Sequence, residues 1–328
     1  MIKDELLRIL WDNADHSISG AELARRLSVS RAAVWKAMEQ LRAEGYLIES
    51  ATRRGYRLSS RSDVLSAAGI ERHLRREGLR LEVYPSLSST NTLLKERAAQ
   101  GAGEGLVLVA GEQTGGRGRM GRGFYSPPGT GLYLSVLLRP RMPAAEATAL
   151  TACAAVAVAE SIEALSGKAA QIKWVNDVLI GGKKVCGILT EASLDCESSY
   201  VNYAVVGIGI NALSPDGGFP PELGGVAGAV FDGPALPELR CRLAAELLDR
   251  LMGYAAELED KRFFPGYKSR SLVLGKAIHI LSPGREPEAA TALDLEPDFA
   301  LLVRTGDGQI KRLQSGEVSI RPQDGLRF

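Results

Sequence analysis

Apolar and polar positions alternate with three different textures along the chain. In residues 1–61, Leu6, Leu7, Ile9 and Leu10 fall at helical spacing and predict a short amphipathic helix. Ser19 stands at an N-cap position before AELARRL, and Ser28–Val29 predicts a tight turn. Ser30 then caps RAAVWKAMEQLRAE, which Gly45 ends from the C′ position. In that second helix Val34, Met38 and Leu41 share one face. YLIES and YRLSS alternate as strands around ATRRG and predict a hairpin with Arg53 and Arg54 at its tip. From about 63 to 268 helices, apolar strands and glycine-rich loops are mixed. From about 271 onward short strands alternate with tight turns, as at TGDGQ (305–309) and SGE (315–317). These changes divide the chain into expected domains at 1–62, 63–270 and 271–328.

The first segment looks like a winged helix-turn-helix of the kind found in many bacterial regulators. A duplex-binding reading puts its second helix in the major groove with Ser30, Arg31 and Lys36 outward, and the wing residues Arg53 and Arg54 over the backbone. The competing reading is a docking or dimerisation module whose basic residues merely face solvent. Capped turn, helix and basic wing occur together, which favours DNA. Charge agrees locally: Met1 to Arg61 carries eleven Lys/Arg against eight Asp/Glu, in a chain whose net charge is only +1.

A chain of 328 residues, 45% hydrophobic and 24% charged, has the composition of a soluble globular protein with two or three cores. The cysteines (Cys153, Cys186, Cys196 and Cys241) form no CxxC and have no histidine at ligand spacing, so they read as reduced residues rather than a zinc site. MIKDELLRIL carries charges within its apolar stretch and does not read as a secretory signal. No uninterrupted apolar run approaches a membrane span. The expectation is a cytoplasmic protein with no membrane partner.

Residues 111–138, GEQTGGRGRMGRGFYSPPGTGLYLSVLL, contain GxGxxG at Gly116, Gly118 and Gly121. A dinucleotide fingerprint needs a helix directly afterwards, so that the pyrophosphate meets its N-terminus. Here Pro127 and Pro128 and then the strand LYLSVLL follow, and no Walker A pattern exists. What the loop offers is free backbone amides with Arg117, Arg119 and Arg122, a combination suited to polyphosphate. So many glycines are costly to order, which predicts a loop mobile until ligand arrives.

Three more motifs accompany it: SSTN (88–91), KWVNDVLIGGKKVCGILTE (173–191) after an alanine-rich helix, and the glycine-interrupted strand YAVVGIGIN (203–211). In this order and spacing the four resemble the bacterial biotin–protein ligases, specifically the members that carry an N-terminal DNA-binding domain and repress biotin genes. The resemblance covers essentially the whole chain, through a C-terminal GEVSIRP. It implies an α+β protein: an N-terminal winged helix-turn-helix, a central mixed-sheet catalytic domain of the biotin/lipoate ligase type, and a small C-terminal SH3-like β barrel. This sequence departs from the family pattern at Val175, usually proline, and at Met120, often basic.

Carried onto these positions, the resemblance implies that Ser89, Thr90, Asn91 and Gln113 line the biotin ring site. Gly116, Gly187, Gly207 and Gly209 would let ligand approach the backbone. Arg117, Arg119 and Lys184 would serve both the biotin carboxylate and the adenylate phosphate. Arg122, Asn176 and Asp177 would face ATP, Asp177 with Mg²⁺, and Asn211 would begin a loop over the adenine. The implied reaction joins biotin and ATP into biotinyl-5′-AMP and passes biotin to a lysine of a biotin carboxyl carrier protein. Two anionic reactants meet in the first step, so the site must offset charge, a role for Lys184, Arg117, Arg119 and Mg²⁺. Asp177 could accept or orient the acceptor lysine's proton, bind magnesium, or be structural. Strand alternation lets one of Lys183 and Lys184 point inward, and the KxxGIL match favours Lys184. The implied partners are operator DNA and a second copy of the chain once the adenylate is bound. A lipoate–protein ligase and a biotin-sensing transcription factor without turnover are the alternatives.

Overall fold

The computed structural model describes residues 2–51, 55–195, 197–233, 236–282, 285–314 and 319–322. The chain sorts into two compact units, Met1–His73 with Gly233–Ala245, and Leu74–Asp232 with Glu246–Phe328.

The first unit is a helix-turn-helix with a hairpin. α1 (Ile2–Asp12) buries Leu6, Leu7, Ile9 and Leu10, as their spacing predicts. α2 (Gly20–Arg26) is capped by the Ser19 hydroxyl, which accepts from the Glu22 amide at 3.1 Å. α3 (Arg31–Ala43) is capped by Ser30 accepting from the Ala33 amide at 3.1 Å. Each cap satisfies an amide that helix geometry leaves unpaired. Gly45, at φ 96°, turns the chain out of α3. Val34, Met38 and Leu41 are fully buried while Ser30, Arg31 and Lys36 are exposed. β1 (Ile48–Ala51) pairs antiparallel with β2 (Gly55–Leu58). The expected wing tip, Arg53 and Arg54, lies outside the described residues.

The unit continues past the hairpin into α4 (Ala67–Glu71). Asp63 receives two hydrogen bonds from Arg240, from its backbone N at 3.0 Å and its Nε at 2.7 Å. Glu238 is paired with Arg72 and with His73 Nε2. These half-buried ion pairs attach residues 63–73 to the segment around 238–241.

The second unit is built on a seven-stranded mixed sheet in the order β3-β4-β5-β9-β8-β7-β6. β3 (Arg80–Tyr84) runs parallel to β4 (Leu106–Ala110), because α5 (Thr90–Ala99) carries the chain back between them. All other neighbours are antiparallel: β5 (Gly131–Leu138), β6 (Gln171–Lys173), β7 (Asp177–Ile180), β8 (Lys183–Leu194) and β9 (Val201–Asn211). The β7–β8 hairpin turns through Gly181 and Gly182, both at positive φ, the two-residue turn that matches strand twist. β4 and β5 are buried at every position.

α6 (Thr148–Ser166) covers the sheet. With its preceding turn it is long and apolar enough, by composition, to cross a membrane, which the reading of uninterrupted runs did not anticipate. Cys153 and its neighbours from Ala152 to Ala159 are fully buried, so here it is a core helix. α7 (Leu239–Ala256) gives its residues from Glu246 onward to this unit, and α8 (Phe264–Ser269) follows. Cys186 and Cys241 are buried like Cys153; Cys196 lies outside the described residues.

The C-terminal strands are β10 (Ala277–Leu281), β11 (Glu288–Leu295), β12 (Leu301–Thr305), β13 (Ile310–Leu313) and β14 (Ser319–Pro322). They form a five-stranded antiparallel sheet in the order β13-β12-β11-β10-β14; among the described residues no strand pairing closes it into the expected barrel. The turn at 306–309 joins β12 to β13 as its glycines predict. SGE (315–317) lies outside the described residues.

Candidate active site

The four motifs converge at one end of the mixed sheet, on two adjoining hollows. SSTN supplies the start of α5: Ser89 is its N-cap, accepting from the Thr92 amide at 3.4 Å. That leaves the Ser89 proton available. Thr90 donates its backbone N–H to Gln113 Oε1 at 2.9 Å, and its hydroxyl lies 3.1 Å from the same oxygen. Gln113 Nε2 donates to Ser126 Oγ at 3.2 Å, which fixes the carboxamide at both ends.

The glycine-arginine loop is a compact hairpin, not the entrance to a helix. Gly118 N donates to Arg122 O at 2.7 Å and Phe124 N to Gly116 O at 2.9 Å. A single 3-10 turn, Arg119–Gly121, forms its tip, with Met120 exposed at φ 56°. The strand β5 comes next, so the GxGxxG has no dinucleotide geometry. Arg117 and Arg122 are exposed, whereas Arg119 is half-buried and donates to Asn176 Oδ1 at 3.1 Å. Burial pushes the Arg119 pKa below its ordinary value, opposed by the charge of Asp177. Guanidinium is so strongly basic that it stays charged.

KWVND follows α6. Trp174 Nε1 donates to Phe299 O at 2.9 Å and Tyr267 Oη to Val175 O at 3.1 Å, so both apolar members of the motif are buried anchors. The Trp174–Val175 peptide bond is cis. Asn176 Nδ2 donates to Ile188 O at 3.0 Å, tying the motif to β8. On β8 Lys184 is half-buried and Lys183 is exposed. Lys184 Nζ lies 2.7 Å from Asp177 Oδ1, a charge contact rather than an aligned hydrogen bond.

Gly187, Gly207 and Gly209 sit where β8 and β9 pass beneath these groups. A Cβ at Gly207 would lie 2.0 Å from Asn91 Oδ1, and one at Gly209 would lie 2.4 Å from the Phe124 ring. The space above Gly207 and Gly209 is thus occupied by Asn91 and by Phe124, while these glycines and Asn91 still line one of the two hollows. Asn91 is also not a free ligand group: its Nδ2 donates to Leu189 O at 3.1 Å and to Glu191 Oε2 at 3.0 Å. Asn211 is committed as well, donating to Gly228 O at 3.1 Å and holding the segment that follows β9.

The first hollow is lined by Ser89, Thr90, Gln113, Arg117, Gly187 and Gly209 among others, and encloses only about 20 Å³. Phe124 closes it, its ring edge-on to Tyr133 with Lys184 Nζ 5.9 Å from its centroid. The second is a cleft of about 390 Å³ lined by Arg119, Asn176, Asp177 and Lys184 together with the apolar Phe219, Leu223 and Val226. That volume is ordinary for a small-molecule site. Phe124 borders both.

Sequence reasoning missed Phe124, Ser126, Ser135, Glu191 and Lys95. Ser135 was the most legible of them: a serine hydroxyl inside the buried apolar strand LYLSVLL requires a hydrogen-bond partner. The wall of Phe219, Leu223 and Val226 has no motif at all.

Comparison with known proteins agrees with this geometry. A profile described as the biotin/lipoate A/B protein ligase family matches residues 83–211. An HTH domain profile matches residues 3–57, and a biotin protein ligase C-terminal domain profile residues 273–321. The chain is 34% identical over 334 residues to the bifunctional ligase/repressor BirA of Bacillus subtilis, covering 97% of this chain and 98% of that one. It is 29% identical to the Escherichia coli protein of that name, covering 97% and 96%. Its fold matches the Aquifex aeolicus biotin protein ligase solved with biotin and ATP, at a TM-score of 0.61 and 29% identity, over 74% of this chain and 99% of that one.

Proposed function

The chain belongs to the biotin protein ligase family, and we propose from that premise how its residues divide the work of an ATP-dependent ligase that is also a repressor. The observation that carries the reading is the junction of a slot of hydroxyl and carboxamide groups with a cationic cleft: Phe124 borders both, and Lys184 of the cleft holds its Nζ 5.9 Å from the Phe124 ring and beside Gly187 of the slot.

The slot suits the ureido ring of biotin: Ser89 has a proton to donate, and Thr90 and Gln113 present oxygens. The cleft suits ATP, with Arg119, Arg122, Lys184 and Asn176 toward the phosphates and the apolar wall toward the base. In the first step a biotin carboxylate oxygen bonds to the α-phosphorus of ATP and pyrophosphate leaves. Lys184, Arg117 and Arg119 offset the charge brought together there. In the second, the acceptor lysine of a biotin carboxyl carrier protein attacks the anhydride carbonyl, an amide forms and AMP leaves. Asp177, beside Lys184, is the carboxylate we assign to orient the incoming amine and take its proton.

Mg²⁺ would neutralise phosphate charge. Among the described residues no cluster of three or more His, Cys, Asp or Glu could cage a metal, and Asp177 of the cleft would hold it together with substrate oxygens. A hollow of about 20 Å³ cannot take a bicyclic ring. Entry of biotin therefore requires Phe124 and the loop at 115–123 to shift, and their return would shield the anhydride from water.

For the repressor activity, Ser30, Arg31 and Lys36 on α3, with Arg53 and Arg54, form the assigned DNA contacts. We assign operator binding to a dimer formed when the adenylate is bound, which would set two reading helices on a palindrome. Domain limits of 1–62, 63–270 and 271–328 are retained as the proposed division by function, in a cytoplasmic enzyme.

The test is incubation with biotin, ATP and Mg²⁺ followed by mass spectrometry of the protein. Retained biotinyl-adenylate, with none of the lipoyl equivalent when lipoate replaces biotin, is the expected result. Absence of the adenylate would reduce the site to a sensing pocket.

A further inference from the structure

We propose that the exposed indole of Trp35, with Ala32 beside it, packs on thymine 5-methyl groups and so fixes part of the DNA sequence that α3 selects. This rests on the assignment of α3 to the major groove and names the base it reads there.

α3 sends its apolar residues in two directions. Val34, Ala37, Met38 and Leu41 enter the core of the first unit, none of them more than 4% exposed. Trp35 is 58% exposed and does not join that core. At about 3.6 residues per turn, Ala32, Trp35, Lys36 and Glu39 share the side away from Val34 and Leu41. All four are exposed. Among the described residues the indole has no aromatic or cationic partner, and its Nε1 has no hydrogen bond.

Single apolar residues often stand in water without a role. This one belongs to a patterned face. Ala32 lies one turn before Trp35, and around the helix the two are flanked by Arg31 on one side and Lys36 on the other. The charge of that face is one-sided. Glu39 is paired with Arg42, and Glu44 just beyond the helix with Lys3. Arg31 and Lys36 have no carboxylate partner among the described residues. A strip of apolar side chains between two free cations complements a groove walled by phosphates.

On the floor of the major groove thymine alone of the four bases presents a methyl group. An indole has one donor and a broad apolar face, so it cannot pair bidentately with adenine as Asn does or with guanine as Arg does. Thymine is therefore the base that matches the strip. A second copy of the chain is the competing occupant. In a twofold dimer this face would meet itself and set Arg31 and Lys36 against like charges.

The test begins with a random-sequence duplex library, selected by the full-length protein in biotin, ATP and Mg²⁺. Anisotropy titrations then compare the selected duplex with copies in which single thymidines become deoxyuridines, a change that removes only the methyl. For wild-type protein, at least one thymine in each half-site should show about a fourfold loss of affinity. Trp35→Ala should bind the selected duplex about tenfold more weakly and respond less than about twofold to deoxyuridine there. Its salt slope should stay within about 0.5 of wild type, because an indole neutralises no phosphate. Exposure at this position predicts that the variant melts within about 2 °C of wild type.

Wild-type affinity indifferent to every deoxyuridine replacement overturns the proposal, and that measurement needs no variant. Full methyl sensitivity retained by Trp35→Ala also overturns it. If that variant in addition sediments as a smaller species than wild type, the face belongs to a second copy instead. Failure of wild-type protein to select any duplex would sink the assignment of α3 to DNA, and this reading with it, so the two failures are distinguishable.

Discussion

Replacing Gly207 by alanine isolates the packing on which the slot depends. The new methyl would lie 2.0 Å from Asn91 Oδ1 and 2.7 Å from its Cγ. Ordinary contact begins near 3.4 Å, so one partner must retreat by about 1.4 Å. β9 cannot, because Gly207 is paired with Ser135 on one side and Leu189 on the other in the middle of the sheet. Asn91 must therefore leave its place. It is buried and bonded to Leu189 O, Glu191 and Ser135. Breaking two or three such bonds, at about 1.5 kcal/mol for each stranded group, gives a loss of about 3–5 kcal/mol. For a unit of this size that is a fall in Tm of about 6–20 °C. The assay is thermal denaturation together with biotin KM. Gly103→Ala is the control, since its Cβ would meet nothing within 4 Å. A Gly207→Ala protein melting within about 2 °C of that control, with unchanged biotin KM, would refute the rigid Asn91 network on which the magnitude rests.

Lys184→Ala is expected to slow adenylate formation by about 10²–10³, and a rate within a few-fold of wild type in a single-turnover assay would remove Lys184 from its assigned role. Glu163 of α6 receives both Arg270 Nε and Nη2, at 3.1 and 2.7 Å, and this pairing lowers its pKa below 4.5. A depressed pKa stabilises the fold above the unfolded-state value, and that stability is lost as pH falls through the folded-state value. Glu163→Gln should therefore lower Tm at pH 7, and the gap should close as melts are recorded from pH 4.5 downward; a gap that widens on acidification would contradict this. Arg31→Ala and Lys36→Ala should each weaken operator binding and reduce the slope of log affinity against log salt by about 0.9 for every phosphate no longer neutralised. Unchanged slopes in a fluorescence-anisotropy titration would take both residues off the DNA.

The first unit was legible because its signals are local. Caps at Ser19 and Ser30, the stop at Gly45 and the inward set Val34, Met38 and Leu41 each follow from a few consecutive residues. Motif order likewise carried the family and brought SSTN, the arginine loop, KWVND and the glycine strand to one place. That Lys184 rather than Lys183 faces inward also followed from β alternation and the KxxGIL spacing.

What each site residue touches was decided only by the tertiary structure. Gly207 and Gly209 read as clearance for a ligand, yet the room they leave is taken by Asn91 and by Phe124. Asn91 read as a ligand group and proves to be held by Glu191, 100 residues further along the chain. No local pattern encodes such a partner, because a hydrogen bond depends on which strands lie side by side, and that order follows from burying the whole sheet. Sequence by itself determined which elements form and which chemistry is present. Packing determined which side chains meet across the sheet and hold one another there.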